Sequence, residues 1–172
     1  MQDLRTLVQS QDIHIVLLGE TKLRPRQQLR LPNFLCSAGT RYRPAGSLFG
    51  APRYWSEEIS STEDWSSRIS PIGVRVDAAG ADQRLFAAYR PPGSHFCSSD
   101  VHTIFDDGTP TILAGDLNAK HTTWGSRVIS PAGRQLLQDS EQHGYEVIGP
   151  DTPSHIPTDP RFRADTRSTS LY

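Results

Sequence analysis

Cysteine is scarce in this 172-residue sequence, and the two present, Cys36 and Cys97, cannot build a disulfide framework. No stretch carries a zinc-ligand spacing either, so free thiols in a reducing compartment are expected. An excess of charge of either sign is also absent: 18 Lys and Arg stand against 19 Asp and Glu, which leaves no global field to draw in nucleic acid. Binding to such a partner would depend on local patches such as Lys22, Arg24, Arg26 and Arg30, whose plainer reading is a solvated loop. No run approaches the roughly 20 apolar residues of a membrane span, and the N-terminal MQDLRTLVQSQDI lacks the apolar core of a signal peptide. A soluble intracellular protein is the expectation. Apolar side chains are few, at 35%, while Pro and Gly number 13 each; the length suits one domain with a thin core.

What is present is a set of polar residues at the ends of apolar runs. TILAGDLNAKHTTW at 111–124 begins as a buried strand and breaks into Gly115, Asp116, Leu117 and Asn118. In extended chain Asp116 and Asn118 point the same way, and such a pair can share one hard cation or one phosphate oxygen. An Asx turn after a strand explains the pair equally well. Residues 13–18, IHIVLL, fit a strand covered on both faces and lead into Gly19 and Glu20. Residues 84–89, RLFAAY, read as a third strand, stopped by Pro91 and Pro92 with Tyr89 just before the break. Glu, Tyr and Asp-x-Asn on three strand ends suggest a site.

Around these runs, Leu4, Leu7 and Val8 predict a short helix over 2–10. Phe34 and Leu35 suggest a brief edge strand, and 71–76 a half-buried strand joined by a hairpin to 84–89. A helix over 99–106 follows. Ser130 as N-cap, Pro131 at N1 and Gly144 past the end predict a helix to His143. Residues 145–148 read as a last strand, and 150–172 contain little that would order.

LGETKL at 18–23, AYRPPG at 88–93 and AGDLNAKHTTWGS at 114–126 together resemble the endonuclease/exonuclease/phosphatase superfamily. The extended form, with Lys120, His121, Trp124 and Gly125 after the Asp-x-Asn, is more similar still to the endonuclease domain of jockey-type non-LTR retrotransposons. The resemblance implies an α+β fold like that of deoxyribonuclease I, two packed β-sheets flanked by helices. It implies Mg2+- or Mn2+-dependent hydrolysis of phosphodiesters in DNA, with a nuclear site of action. Glu20 would hold the metal, Asp116 would position or deprotonate the attacking water, Asn118 would hold a phosphate oxygen, and Tyr89 would hydrogen-bond the scissile phosphate. His121 and Trp124 are candidates for substrate contact, by phosphate and by base stacking, although loop packing accounts for both about as well.

Weaker similarity covers about 3–35 and 80–165, whereas 45–75 does not fit. The domain expected is therefore 1–165, atypical at 45–75, with 166–172 as a tail foreign to the family. The family's pattern opens with a strand ending in Asn and closes with an Asp-bearing strand and a Ser-Asp-His motif, and none of these stands in the sequence. Displacing the reading frame by two nucleotides lets the codons for Thr166 to Leu171 spell Ala-Leu-Asp-Ile-Ala-Ile, the missing closing strand. The same displacement at Tyr54 to Ile59 gives a sequence similar to the family's central strand. A truncated, frameshifted copy is the expectation, with weak metal binding and impaired cleavage. A phosphatase branch of the superfamily and a noncatalytic or unfolded remnant of a mobile element are the alternatives.

Overall fold

The computed structural model describes residues 2–11, 13–18, 31, 34–39, 47–52, 58–59, 69–78 and 80–150, together with 152, 154, 157, 159, 161, 163–164 and 169–171. Glu20 and the basic cluster at Lys22, Arg24, Arg26 and Arg30 lie outside them. In chain order the elements are α1 (Gln2–Ser10), β1 (Val16–Leu18), β2 (Phe34–Gly39), β3 (Ser47–Pro52), β4 (Glu58–Ile59), β5 (Ser70–Ala78) and β6 (Ala81–Tyr89). Then come α2 (Ser98–Phe105), β7 (Thr111–Asp116), a 3-10 turn at Thr122–Trp124, α3 (Pro131–His143), β8 (Val147–Ile148) and β9 (Thr169–Leu171).

The strands form two sheets, one ordered β1-β3-β2 and the other β4-β5-β6-β7-β9-β8. All described pairings are antiparallel except β6 with β7. The period-two pattern of β5 and β6 explains how the sheets stack. Ile72, Val74, Val76 and Ala87 face one way and pack with Ile15 and Leu17 of the small sheet's side. Phe86 and Ala88 face the other way, into a cluster with Val101 and Ile104 of α2 and Ala132 and Leu136 of α3. Val8 of α1 packs with Val16 and Leu31 on the outer face of the small sheet. The result is an α+β arrangement of two packed sheets with helices outside, as the sequence led us to expect. Each fully buried Leu or Ile, such as Leu113 or Leu136, contributes roughly 1.5–3 kcal/mol.

Local chemistry sets the element ends. The 78–81 hairpin turns at Gly80, whose φ is +82° and whose N–H donates to Asp77 Oδ1 at 2.7 Å. Ser130 Oγ accepts from Gly133 N–H at 3.0 Å, and Gly144, with φ +79°, donates to Ser140 O at 2.8 Å. Both caps of α3 are those predicted.

Several elements differ from expectation. The first strand begins at Val16 rather than 13 and is half-buried at Leu17 and Leu18. Ile112, inside the run that promised a fully buried strand, is 39% exposed. Strands β3 and β4 form within 45–75, where β3 is the middle strand of the small sheet. The segment 150–172 yields β9, inserted between β7 and β8 with Leu171 fully buried; cross-strand partners order three residues that local propensity would leave free.

Candidate active site on the β6 and β7 strand ends

Parallel pairing of β6 with β7 sets Tyr89 opposite Asp116, both at the last position of their strands. Gly115 allows the two strands to come this close, because a Cβ there would overlap Ala88 O. Tyr89 is 5% exposed, and Asp116 and Asn118 are half-buried.

Arg90, the next residue along, ties the two loops together. It is 2% exposed. Its Nε donates to Leu117 O at 2.5 Å and its Nη2 to Asn118 O at 2.8 Å. Its Nη1 donates to Ser94 O and, at 3.2 Å, to Ser94 Oγ. In return Asn118 Nδ2 donates to Arg90 O at 2.9 Å, and Arg90 N–H donates to Asp116 O at 3.0 Å. Burial pushes the guanidinium below its ordinary value, while the nearby Asp116 carboxylate opposes that shift. Sequence reasoning missed Arg90: an arginine ahead of Pro-Pro reads as a solvated loop residue, and only its place within AYRPPG hinted otherwise.

Asp116 and Asn118 meet differently from the way extended chain would bring them. Asn118 has a φ of +47°, a left-handed conformation that Asn tolerates better than most residues. Its N–H donates to Asp116 Oδ1 at 2.8 Å, so the Asx turn does form, around a Leu117 that is 1% exposed. Turn and site coexist. The Asx turn occupies one carboxylate oxygen while presenting both side chains at the mouth of the strand ends.

The following loop is anchored from behind. Lys120 N–H donates to Ser130 Oγ at 3.0 Å, and Ser130 N–H donates to Lys120 O at 2.9 Å. A Cβ at Gly133 would overlap Lys120 O, so the first turn of α3 is seated directly on this backbone. His121 Nδ1 accepts from Thr123 N–H at 3.2 Å, which leaves Nε2 as the ring's donor atom. Trp124 is 3% exposed, and its Nε1–H donates to Ala119 O at 2.9 Å. Its ring belongs to the core cluster, so loop packing, rather than a base-stacking face, describes it in this structure. Structure thus brings Tyr89, Asp116 and Asn118 together, places His121 in the loop that follows, against Thr123 and Trp124, buries Trp124 in the core, and leaves Glu20 outside the described residues. An amide and a phenol beside a carboxylate at paired strand ends can donate to an anionic group while the carboxylate accepts a proton next to it.

Comparison with known proteins gives the same direction. The family described as endonuclease-reverse transcriptase matches residues 83–169. The RNA-directed DNA polymerase from mobile element jockey of Drosophila melanogaster is 28% identical over 169 residues, covering 92% of this chain and 18% of that protein. The chain thus spans less than a fifth of the length of that curated relative. Among solved structures, the endonuclease domain of TRAS1, a telomere-specific non-LTR retrotransposon, superposes with a TM-score of 0.76 at 18% identity, covering 99% of this chain and 77% of that one. An AP endonuclease from Archaeoglobus fulgidus superposes with a TM-score of 0.60 at 9% identity, covering 99% and 93%. The fold is that of deoxyribonuclease I-like endonuclease domains.

Proposed function

Because the chain belongs to the endonuclease-reverse transcriptase family, we propose that it is a retrotransposon nuclease domain that hydrolyses phosphodiester bonds in DNA with the help of Mg2+ or Mn2+. The observation that supports this reading best is Tyr89 paired with Asp116 on parallel strand ends, with Asn118 fixed beside them through Arg90. The donor set suits a hard cation. Asp116 offers a carboxylate, and Asn118 Oδ1 has no hydrogen-bond partner among the described residues. Glu20 would be the principal metal ligand. When bound, the cation supplies Lewis-acid neutralisation of the charge that gathers on the phosphoryl group.

The remaining work falls to this chain's own residues. Asp116 orients the attacking water and takes its proton as the new P–O bond forms and the bond to the leaving oxygen breaks. The second Nδ2 proton of Asn118 holds a non-bridging oxygen, and the Tyr89 hydroxyl donates to the scissile phosphate. His121 presents Nε2–H to the phosphate backbone. Arg90 is a positioning residue, since its guanidinium makes four hydrogen bonds to Leu117, Asn118 and Ser94 within the protein. Chromosomal DNA as substrate would place this activity in the nucleus.

Nicking of supercoiled plasmid with Mg2+ tests the reading. Asp116→Ala should slow nicking by roughly 10²–10⁴-fold, with a thermal melt verifying that loss of the Asx turn leaves the fold in place. Equal nicking by the two proteins would sink the proposal. Hydrolysis of small phosphate esters with intact plasmid would instead assign the phosphatase branch. A wild-type rate far below that of a homologous endonuclease domain is the outcome that matches the impairment expected from the sequence.

A further inference from the structure

Away from the strand ends, α2 and α3 bring three potential metal ligands to one point. His102 Nε2 lies 3.0 Å from Asp139 Oδ1 and 3.1 Å from His143 Nδ1, and His143 Nδ1 lies 3.5 Å from Asp139 Oδ1. The residues are 37 and 41 positions apart in the chain on the two His102 contacts. Thus a local i,i+4 pair on α3, Asp139 and His143, is completed by helix packing, which brings in His102 from α2. We propose that His102, Asp139 and His143 form a binding site for a borderline divalent transition metal, with Zn2+ as the reference ion, that staples α2 to α3.

The geometry is that of one face of a tetrahedron. Ligand atoms at roughly 2.0–2.2 Å from a tetrahedral ion stand about 3.3–3.5 Å from one another, and separations of 3.0, 3.1 and 3.5 Å need shifts of only a few tenths of an ångström to match. Two imidazole nitrogens and one carboxylate oxygen favour Zn2+-like ions over Mg2+, which prefers oxygen ligands alone. The carboxylate is already oriented from behind, because Tyr145 Oη donates to Asp139 Oδ2 at 2.5 Å. Such an outer partner is what holds a ligating carboxylate in place. His143 Nδ1, which lies 2.9 Å from Asp139 O, would turn a lone pair to the ion in the tautomer protonated at Nε2. Access is open, since the His102 and His143 side chains are 35% and 44% exposed while Asp139 is 4% exposed, and a water completes the fourth position.

This site is separate from the strand ends. The first turn of α3 rests on Lys120 at Gly133, and His143, at the other end of the helix, stands about 15 Å further along it. The proposal is therefore independent of the nuclease reading, and the two can fail separately.

Calorimetric titration of the full chain with Zn2+ tests it. Wild type should bind one equivalent at this site, with His102→Gln and His143→Gln each weakening binding at least tenfold, while Asp116→Ala and the exposed His95→Gln leave it unchanged. Zn2+ should raise the wild-type melting temperature and leave that of His143→Gln unmoved; the metal-free melts of both histidine variants establish that they fold. Unchanged affinity in both variants, loss of all Zn2+ binding in Asp116→Ala, or full competition by Mg2+ would overturn the proposal.

Discussion

The strand-end loop and the α2–α3 face each bury a charge, and they stabilise it by different means. Arg90 is surrounded by neutral dipoles, the carbonyl oxygens of Ser94, Leu117 and Asn118, with the Asp116 carboxylate nearby. Asp139 is surrounded by groups that can themselves ionise or ligate, His102, His143 and Tyr145. Burial and the bond to Asp139 push the Tyr145 phenol well above its ordinary value, so it remains a proton donor. A charge held by backbone dipoles is complete and rigid, which suits the floor of a catalytic site. A charge held by imidazoles can exchange its partners, which suits occupancy by an ion.

The contrast can be broken by mutation, most severely at Arg90. Arg90→Met removes the cation and leaves the carbonyls of Leu117, Asn118 and Ser94 without this donor, and should cost about 3–5 kcal/mol, measured by urea unfolding. A cost under about 1 kcal/mol would mean that the two loops hold their shape without it. Tyr145→Phe probes the other region: Asp139 Oδ2 loses its phenolic donor, for an expected cost of about 1–3 kcal/mol. If the imidazoles close in to compensate, the loss in thermal stability will be smaller, and the exchangeable character of this cluster will be the better established. The smallest effect should come from Ser130→Ala, which removes the cap of α3 and the acceptor for Lys120 N–H at about 1 kcal/mol. Hydrogen exchange at Lys120 would register that change locally.

Legibility in the sequence follows the same division. Helix α3 was readable because Ser130, Pro131 and Gly144 lie within the helix's own neighbourhood, and β5, β6 and their hairpin because alternation and turn chemistry are local. The Asp116–Asn118 turn was readable as an Asx turn, and as a candidate site through its resemblance, yet the left-handed Asn118 that builds it was not, since the backbone bracket comes from Arg90, 28 residues earlier. Trp124 looked like a loop aromatic because nothing nearby announces that Ala119 O will accept its indole proton. The His102–Asp139–His143 cluster was only half legible: Asp139 and His143 share an i,i+4 spacing on α3, but His102 lies 37 residues before Asp139 and joins them through the packing of α2 on α3.

The placement of β9 has a consequence for how the chain is made. Leu171 pairs with Leu113, 58 residues earlier, and at a synthesis rate of roughly 5–20 residues per second β7 spends about 3–12 s outside the ribosome before its partner emerges. Throughout that interval the strand bearing Asp116 has an open hydrogen-bonding edge on a nascent polypeptide. Chaperone capture of the unfinished chain, or its pairing with a neighbour on the same polysome, competes directly with closure of the sheet.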